Sequence, residues 1–357
     1  MKDIYIKRTI KIIIFIAGFW GIFALATNVL RLKCYFTNTT VSPETETWDS
    51  FYSLEKDSVD VMFVGSSHVY NGINPLVFYE VTGLKGFDLA TSNQDMAMGY
   101  RVVEEIFRYQ TPKYLVMETQ SFFYNPFHFD MCDPYYKMTY DDMRWTRSKL
   151  DGLNEWLAFS TNEKLINRVF PLFDYHSRWD ELSWDDFFSK RLATNIEGYC
   201  YTFYPYPNEF KGYAIEEKYA DIAPICFEYF DKIKQICDEH GTTIILVSIP
   251  DGKTNSTRAD MMFDLAVSRG VSFYDYNSKE GFAKTGVLEN EWRDPSHLNA
   301  TGANKFTRVF AYTLIDEKKI ETGETTDELW NEKVKNWYDI YEDGVKKQAE
   351  ELEKEGN

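Results

Sequence analysis

Two short stretches, far apart in the chain, carry side chains whose types and spacing could do covalent chemistry. The first is Gly65-Ser66-Ser67-His68, which follows the mostly apolar run of residues 59–64. That run is short, β-branched and aromatic, as expected of a central strand in an α/β sheet. Gly65 lets the chain bend sharply. Ser67 then falls at the carboxyl end of the strand, where open α/β sheets bind their ligands. A helix opening here would also place Ser67 near the positive end of a dipole that favours developing negative charge. The second stretch is Asp294-Pro295-Ser296-His297. On a turn, or in a first helical turn, this spacing puts carboxylate and imidazole on one side of the chain. The carboxylate can then fix the imidazole tautomer and leave the other ring nitrogen to take a proton from a serine. Each stretch alone also fits a plain role, a Gly-Ser turn or a capped loop. The pair is more specific than either.

The elements between the two stretches alternate in a way that can bring them together. A helix is expected around Leu76, Val77 and Tyr79, ending near Gly83, then a strand at 86–89. A helix over 98–110 puts Val102, Val103, Ile106 and Phe107 on one face, and a strand follows at 114–117. After a long interruption come a helix over 222–240, a strand at 243–249, a helix over 256–268, a strand at 271–275 and a closing helix over 302–315. Strand–helix alternation of this kind implies a parallel sheet with right-handed crossovers. Asp275 reads as a loop cap, because Asp294 has the better spacing to His297. The five His, at 68, 128, 176, 240 and 297, do not cluster, so no metal site is expected, and nothing calls for a cofactor.

The interruption, residues 122–215, is crowded with aromatics and acids. It is either a lid, with aromatic faces stacking on sugar rings or an acyl group, or an accessory helical layer with its own small core. Within it, His176 and Arg178 stand between aromatics and suit contact with an anionic or carbonyl group. His68, next to Ser67, is expected to line the site.

The chain has 357 residues, among them 25 Tyr, 27 Phe and 9 Trp, enough for a sizeable core. Its formal net charge of −17 argues against nucleic acid and against general adhesion to anionic lipid. From Ile12 to Leu30 it is almost wholly apolar, close to the ~20 residues that span a bilayer. Lys2, Lys7, Arg8 and Lys11 precede that run, which predicts a cytoplasmic N-terminus, a single pass through the cell membrane and an extracytoplasmic domain. A cleaved signal peptide, with Ala24-Leu25-Ala26 as a small-x-small site, is the rival; continuation of the apolar run through Val29 and Leu30 favours an anchor. The expected organisation is a leader and anchor over 1–34, a polar linker over 35–57, an α/β domain over 58–316, and a charged helical tail over 317–357 that docks loosely or meets a partner. The cysteines lack metal spacing. Cys226 and Cys237 read as core residues, and Cys132 and Cys200, in the same insert, could pair outside the cell.

The order of the two blocks, Gly-x-Ser after an early strand and Asp-x-x-His close to the last helix, resembles the SGNH/GDSL hydrolase superfamily over about residues 58–316. The resemblance implies a flavodoxin-like three-layer fold with a central parallel sheet. It makes Ser67 the nucleophile, with Asp294 and His297 completing a triad. Two inner blocks depart from that pattern. Asn93 stands where an oxyanion-hole glycine is expected, although Asn tolerates left-handed backbone. After the third strand, Glu118-Thr119-Gln120-Ser121 replaces the usual asparagine block and leaves Gln120 as a weaker oxyanion candidate beside Ser67 and Asn93. These departures look more like the membrane-anchored branch that modifies surface polymers, which includes the teichoic-acid D-alanylation protein and the alginate and peptidoglycan O-acetyltransferases. That branch implies transfer of an acetyl or D-alanyl group to a cell-surface polysaccharide or teichoic acid, with a membrane-bound O-acyltransferase as partner. An esterase that deacylates surface glycans, and a polysaccharide-binding or assembly protein with a weakened site, are the alternatives.

Overall fold

The computed structural model describes residues 2–30, 36–37, 40–41, 44–126, 133–188, 195–213 and 222–355; His128 and Cys132, and with Cys132 the expected pairing to the buried Cys200, fall outside them. Five parallel strands form the central sheet: β1 Val61–Val64, β2 Gly86–Asp88, β3 Tyr114–Glu118, β4 Thr243–Ser248 and β5 Ser272–Asp275. Their order is β2-β1-β3-β4-β5, the flavodoxin-like arrangement. Successive residues of a strand point to opposite faces, and both faces are covered. Met62, Val64, Leu115 and Met117 join one apolar cluster with the helices Met96–Tyr109 and Pro224–His240. Val61, Phe63, Val116 and Val247 join a second cluster with the helices Pro75–Thr82 and Ala300–Asp316. The α/β three-layer class expected from the sequence is therefore present.

Two segments take up places that the sequence pattern did not suggest, and the aromatic insert divides between an accessory layer, one of its two expected roles, and contacts elsewhere. Part of the expected linker is the helix Glu44–Ser53, which buries Trp48 and Phe51 in the first cluster. Polar residues on its outer side disguise the apolar positions spaced three apart. The aromatic insert serves several layers. Tyr136, Tyr140, Leu153 and Trp156 pack onto the first cluster as an accessory layer, with Tyr136 stacked on Trp156 at 5.5 Å. Residues 195–203 instead lie against β2 and the chain's C-terminal helix, through an Asp88 N–H bond of 2.9 Å to the Glu197 carbonyl and ring contacts of Tyr199, Tyr201 and Phe203 with Trp337.

That C-terminal helix, Glu328–Glu355, is a docked wall of the domain and not a loose tail. Trp337 is 0 % exposed, Trp330 packs on Tyr79 at 5.0 Å, and Lys333 pairs with Glu197 at 2.6 Å. At the other end, the helix Lys2–Leu30 includes a 26-residue span of mean hydropathy 2.1, none of its most apolar window buried in the protein. Truncating Trp337 to Ala empties a fully enclosed ring site. We expect it to lower the unfolding free energy by about 3–5 kcal/mol in urea denaturation, and to make the last helix susceptible to limited proteolysis.

Candidate active site

β1 ends at Val64, and Gly65 follows with φ +154°, a conformation that L side chains rarely adopt. A Cβ there would also meet the Glu118 Cβ at 2.7 Å. Gly65 thus lets the turn press against the end of β3, at the point where strand order reverses and α/β sheets bind ligands. Ser66 caps the six-residue helix Ser67–Gly72, its Oγ accepting from the His68 N–H at 3.3 Å. Ser66 and His68 are buried; Ser67 between them is half-buried and reaches solvent.

The Asp294–His297 turn connects the antiparallel pair Trp292–Asp294 and His297–Leu298. His297 Nε2 lies 2.7 Å from Ser67 Oγ, and its Nδ1 is 2.9 Å from each Asp294 carboxylate oxygen. Backbone N–H groups of Ser296 and His297 also donate to Asp294 Oδ1, at 2.8 and 3.0 Å. Burial alone would raise the Asp294 pKa; the His297 bond and charge, the Ser296 N–H and Arg293 outweigh it and hold the carboxyl well below the usual range. With Asp294 ionised, Nδ1 carries the proton and Nε2 is left to accept from Ser67. The arrangement can therefore take the hydroxyl proton while Ser67 attacks an acyl carbon.

Two braces hold the parts in register. Arg293 donates to Asn71 Oδ1 at 2.5 Å, and Asn71 Nδ2 donates to the Ser67 carbonyl at 2.7 Å, tying the His–Asp turn to the helix that begins with Ser67. The loop after β4 supports the turn from beneath: Gly252, at φ +63°, has no room for a Cβ, which would lie 2.8 Å from the Pro295 carbonyl oxygen. Residues 202–208 of the insert border the same turn, through a Tyr206 N–H bond of 2.7 Å to Trp292 and an Asn208 Nδ2 bond of 3.1 Å to Pro295.

His68, expected to line the site, lies behind it. On a helix it points roughly 100° away from Ser67, and its ring stacks on that of His297 with centroids 4.7 Å apart. His68 Nδ1 is 3.1 Å from Ser66 Oγ, which in turn lies 3.0 Å from Glu118 Oε2. Burial, with the charges of His297 and Lys253 adding to it, pushes the His68 pKa well below its usual value. Burial also pushes Glu118 up to about 7, against the Gln120 and Ser66 bonds that favour its ionised form. In the sequence Glu118 marks only a departure from the hydrolase pattern; its signal is an acid that ends an apolar strand.

Of the oxyanion candidates, Asn93 has φ +47°, the left-handed backbone its residue type allows, in a loop held to the turn by a Thr91 N–H bond of 3.3 Å to the Gly65 carbonyl. Gln120 is buried, and its side chain is engaged by Arg258 at 3.3 Å and by Tyr124. His176 and Arg178 do not join the site. His176 Nδ1 bonds the Phe173 carbonyl at 2.8 Å, and Arg178 bonds the Leu30 carbonyl and pairs with Asp186 at 3.1 Å. A guanidinium at the negative end of a helix satisfies its last carbonyls, which accounts for Arg178 without a substrate. Asp275 caps a loop, accepting from the Asn277 N–H at 2.9 Å and from Tyr213 at 2.6 Å. A separate cavity of about 370 Å³ along β5, lined by Tyr274, Asp275, Lys284 and Glu317 among others, contains none of the Ser67 group.

No protein-family model and no curated protein matches the chain. Among solved structures it is similar to a proposed acylhydrolase from Bacteroides fragilis, at 9 % identity and TM-score 0.37 over 76 % of this chain and 94 % of that one. It is also similar to a gut microbial diltiazem-metabolizing enzyme, at 12 % identity and TM-score 0.27 over 75 % of this chain and 48 % of that one. Both likenesses are remote, and the chemistry has to be read from this chain's own side chains.

Glu118 gives a pH-dependent outcome. A carboxyl with a folded pKa above its unfolded value adds stability below the unfolded pKa, near 4.3, and loses it as pH rises through about 7. Glu118→Gln keeps an acceptor for Ser66 and cannot ionise. From pH 5 to 8 the wild type should therefore lose stability relative to the variant, by on the order of 3 kcal/mol; parallel denaturation curves for the two proteins would show Glu118 to be ionised throughout.

Proposed function

We propose that this chain is an acyl-ester enzyme of the SGNH type, with Ser67 as nucleophile, His297 as general base and acid, and Asp294 as the group that orients His297. The observation that carries this reading is the unbroken contact from Ser67 Oγ through His297 to Asp294, 2.7 and 2.9 Å, at the switch point of the sheet. Ser67 Oγ attacks an acyl carbonyl as its proton passes to His297 Nε2. The negative oxygen of the tetrahedral intermediate is met by the backbone N–H groups of Ser67 and Asn93. Collapse expels the donor's oxygen, which takes the proton from His297 and leaves the acyl group on Ser67. An acceptor hydroxyl then gives its proton to the same nitrogen and attacks the ester carbonyl, and His297 passes that proton to Ser67 Oγ as it leaves, restoring the serine.

The acceptor in this reading is a hydroxyl of a cell-surface polysaccharide or teichoic acid, and the acyl group is of acetyl or D-alanyl type. The apolar N-terminal helix supports it by keeping the domain at a membrane, on the extracytoplasmic side, where a membrane-bound O-acyltransferase can supply the donor. The half-exposed Ser67 also admits water, so hydrolysis of surface acyl esters is the second reading.

The full chain in detergent should react with a fluorophosphonate probe, and Ser67→Ala and His297→Ala should not. Asp294→Asn should slow labelling by roughly 10⁴-fold, the loss seen when a triad's carboxylate becomes an amide. Absence of labelling in the folded wild type would refute an activated serine. With an activated acyl ester as donor, a transferase releases the donor's leaving group faster and acylates the oligosaccharide as it is added, whereas a hydrolase does not respond.

A further inference from the structure

The part of the insert that follows the accessory layer is built inside out. Its short helices Leu165–Val169, Leu172–Tyr175 and His176–Asp180 turn Arg168 and Asp174 toward the domain, with Asp180 and the following Glu181 left at the surface. Arg168, with a side chain 1 % exposed, pairs with Asp141 at 2.7 Å, with Glu163 at 3.1 Å and with Asp174. The apolar side faces outward: Ile166, Val169 and Phe173 are exposed, Trp179 is 72 % exposed and Trp184 is 78 % exposed. In a layer bathed by water the hydrophobic effect favours the opposite arrangement.

This outward apolar face adjoins the N-terminal apolar helix. Phe170 stacks on Trp20 at 6.0 Å and meets Phe23 edge-on at 5.7 Å, and Arg178 bonds the carbonyl of Leu30. Trp20 lies ten residues before Leu30, or ~15 Å along the helix axis. The 26-residue span is ~39 Å long, against a hydrocarbon core of ~30 Å. Lys7, Arg8 and Lys11 take up the start of that span, so its apolar residues 12–30, ~29 Å long, fill the core and place Leu30 at the hydrocarbon edge, Phe23 roughly 10 Å inside it and Trp20 roughly 15 Å inside it. Phe170, against Phe23 and Trp20, would then reach into the hydrocarbon, while Arg178 holds the neighbouring Trp179 near the Leu30 end, and tryptophan is a residue type enriched at that boundary.

We propose that residues 165–187 lie in the membrane–water interface beside the N-terminal helix, so that the domain sits on the bilayer through a second apolar contact and is not a body swinging on one tether. The proposal rests on the anchor reading above. With a net charge of −17, adhesion to anionic headgroups cannot supply this contact, so it is apolar and insensitive to salt.

The test uses the full chain reconstituted in phosphatidylcholine vesicles carrying nitroxide labels at shallow or deep acyl positions. The fluorescence lost in a Trp179→Leu/Trp184→Leu double variant isolates those two rings, and Trp20→Leu isolates the anchor. Loss of most of the Trp179 and Trp184 signal with the shallow label, less with the deep one, and equally at low and high salt, supports the proposal. Quenching of Trp20 without quenching of Trp179 and Trp184 overturns it and retains the anchor. Quenching of neither overturns both readings. Unchanged near-ultraviolet circular dichroism of the variants checks that the rings, and not the fold, were removed.

Discussion

The contact between Ser67 Oγ and His297 Nε2 joins residues 230 positions apart, and much of the surrounding packing serves to hold it. The helices Pro75–Thr82 and Ala300–Asp316, one following each half of the site, lie together on the same face of the sheet. Polar groups fix how they slide. The Asn74 N–H donates to Thr307 Oγ1 at 3.0 Å, Asn74 Nδ2 donates to Asn304 at 3.3 Å, and Thr307 Oγ1 donates to the Gly72 carbonyl at 3.3 Å. Apolar packing such as Phe78 against Phe310 supplies cohesion without direction. The buried hydrogen bonds supply the register, because a one-residue slip would leave each of them unpaired at a cost of about 1–3 kcal/mol.

Electrostatics around the site separates two carboxyl groups. Glu118, enclosed at the end of β3, is driven toward its neutral form, whereas Asp294, partly open to water and surrounded by donors, is held ionised. Pairs driven apart in this way are how one site obtains an acid and a base from the same functional group. Here the neutral partner sits in the supporting layer. Glu118, Ser66 and the uncharged His68 form a hydrogen-bonded floor under the imidazole of His297, and that floor adds no competing charge below about pH 7.

Much of this was legible in the sequence because the strands are apolar runs and the two polar motifs interrupt them at their ends. The strand–helix alternation and the approach of Ser67, Asp294 and His297 follow from local pattern. Other features depend on contacts with no local signature. His68 reads as a site residue by adjacency, yet helical geometry turns it inward. Arg178 and His176 read as ligand-binding because of their aromatic neighbours, yet those aromatics belong to the surface around the N-terminal helix. Trp48 and Phe51 are hidden in a polar stretch, and the role of Glu118 requires knowing that Gly65 brings β1's turn against β3.

The C-terminal helix carries one further implication, for the order in which the chain becomes a protein. Trp330 and Trp337 complete the same apolar cluster that holds the helices flanking Ser67 and His297. One face of the sheet therefore remains incompletely covered until the helix Glu328–Glu355 has docked. During synthesis the emerging domain would expose Tyr79, Tyr199 and Tyr201 to any neighbouring chain. Docking of the helix Glu328–Glu355 thus completes a core that the earlier elements leave open.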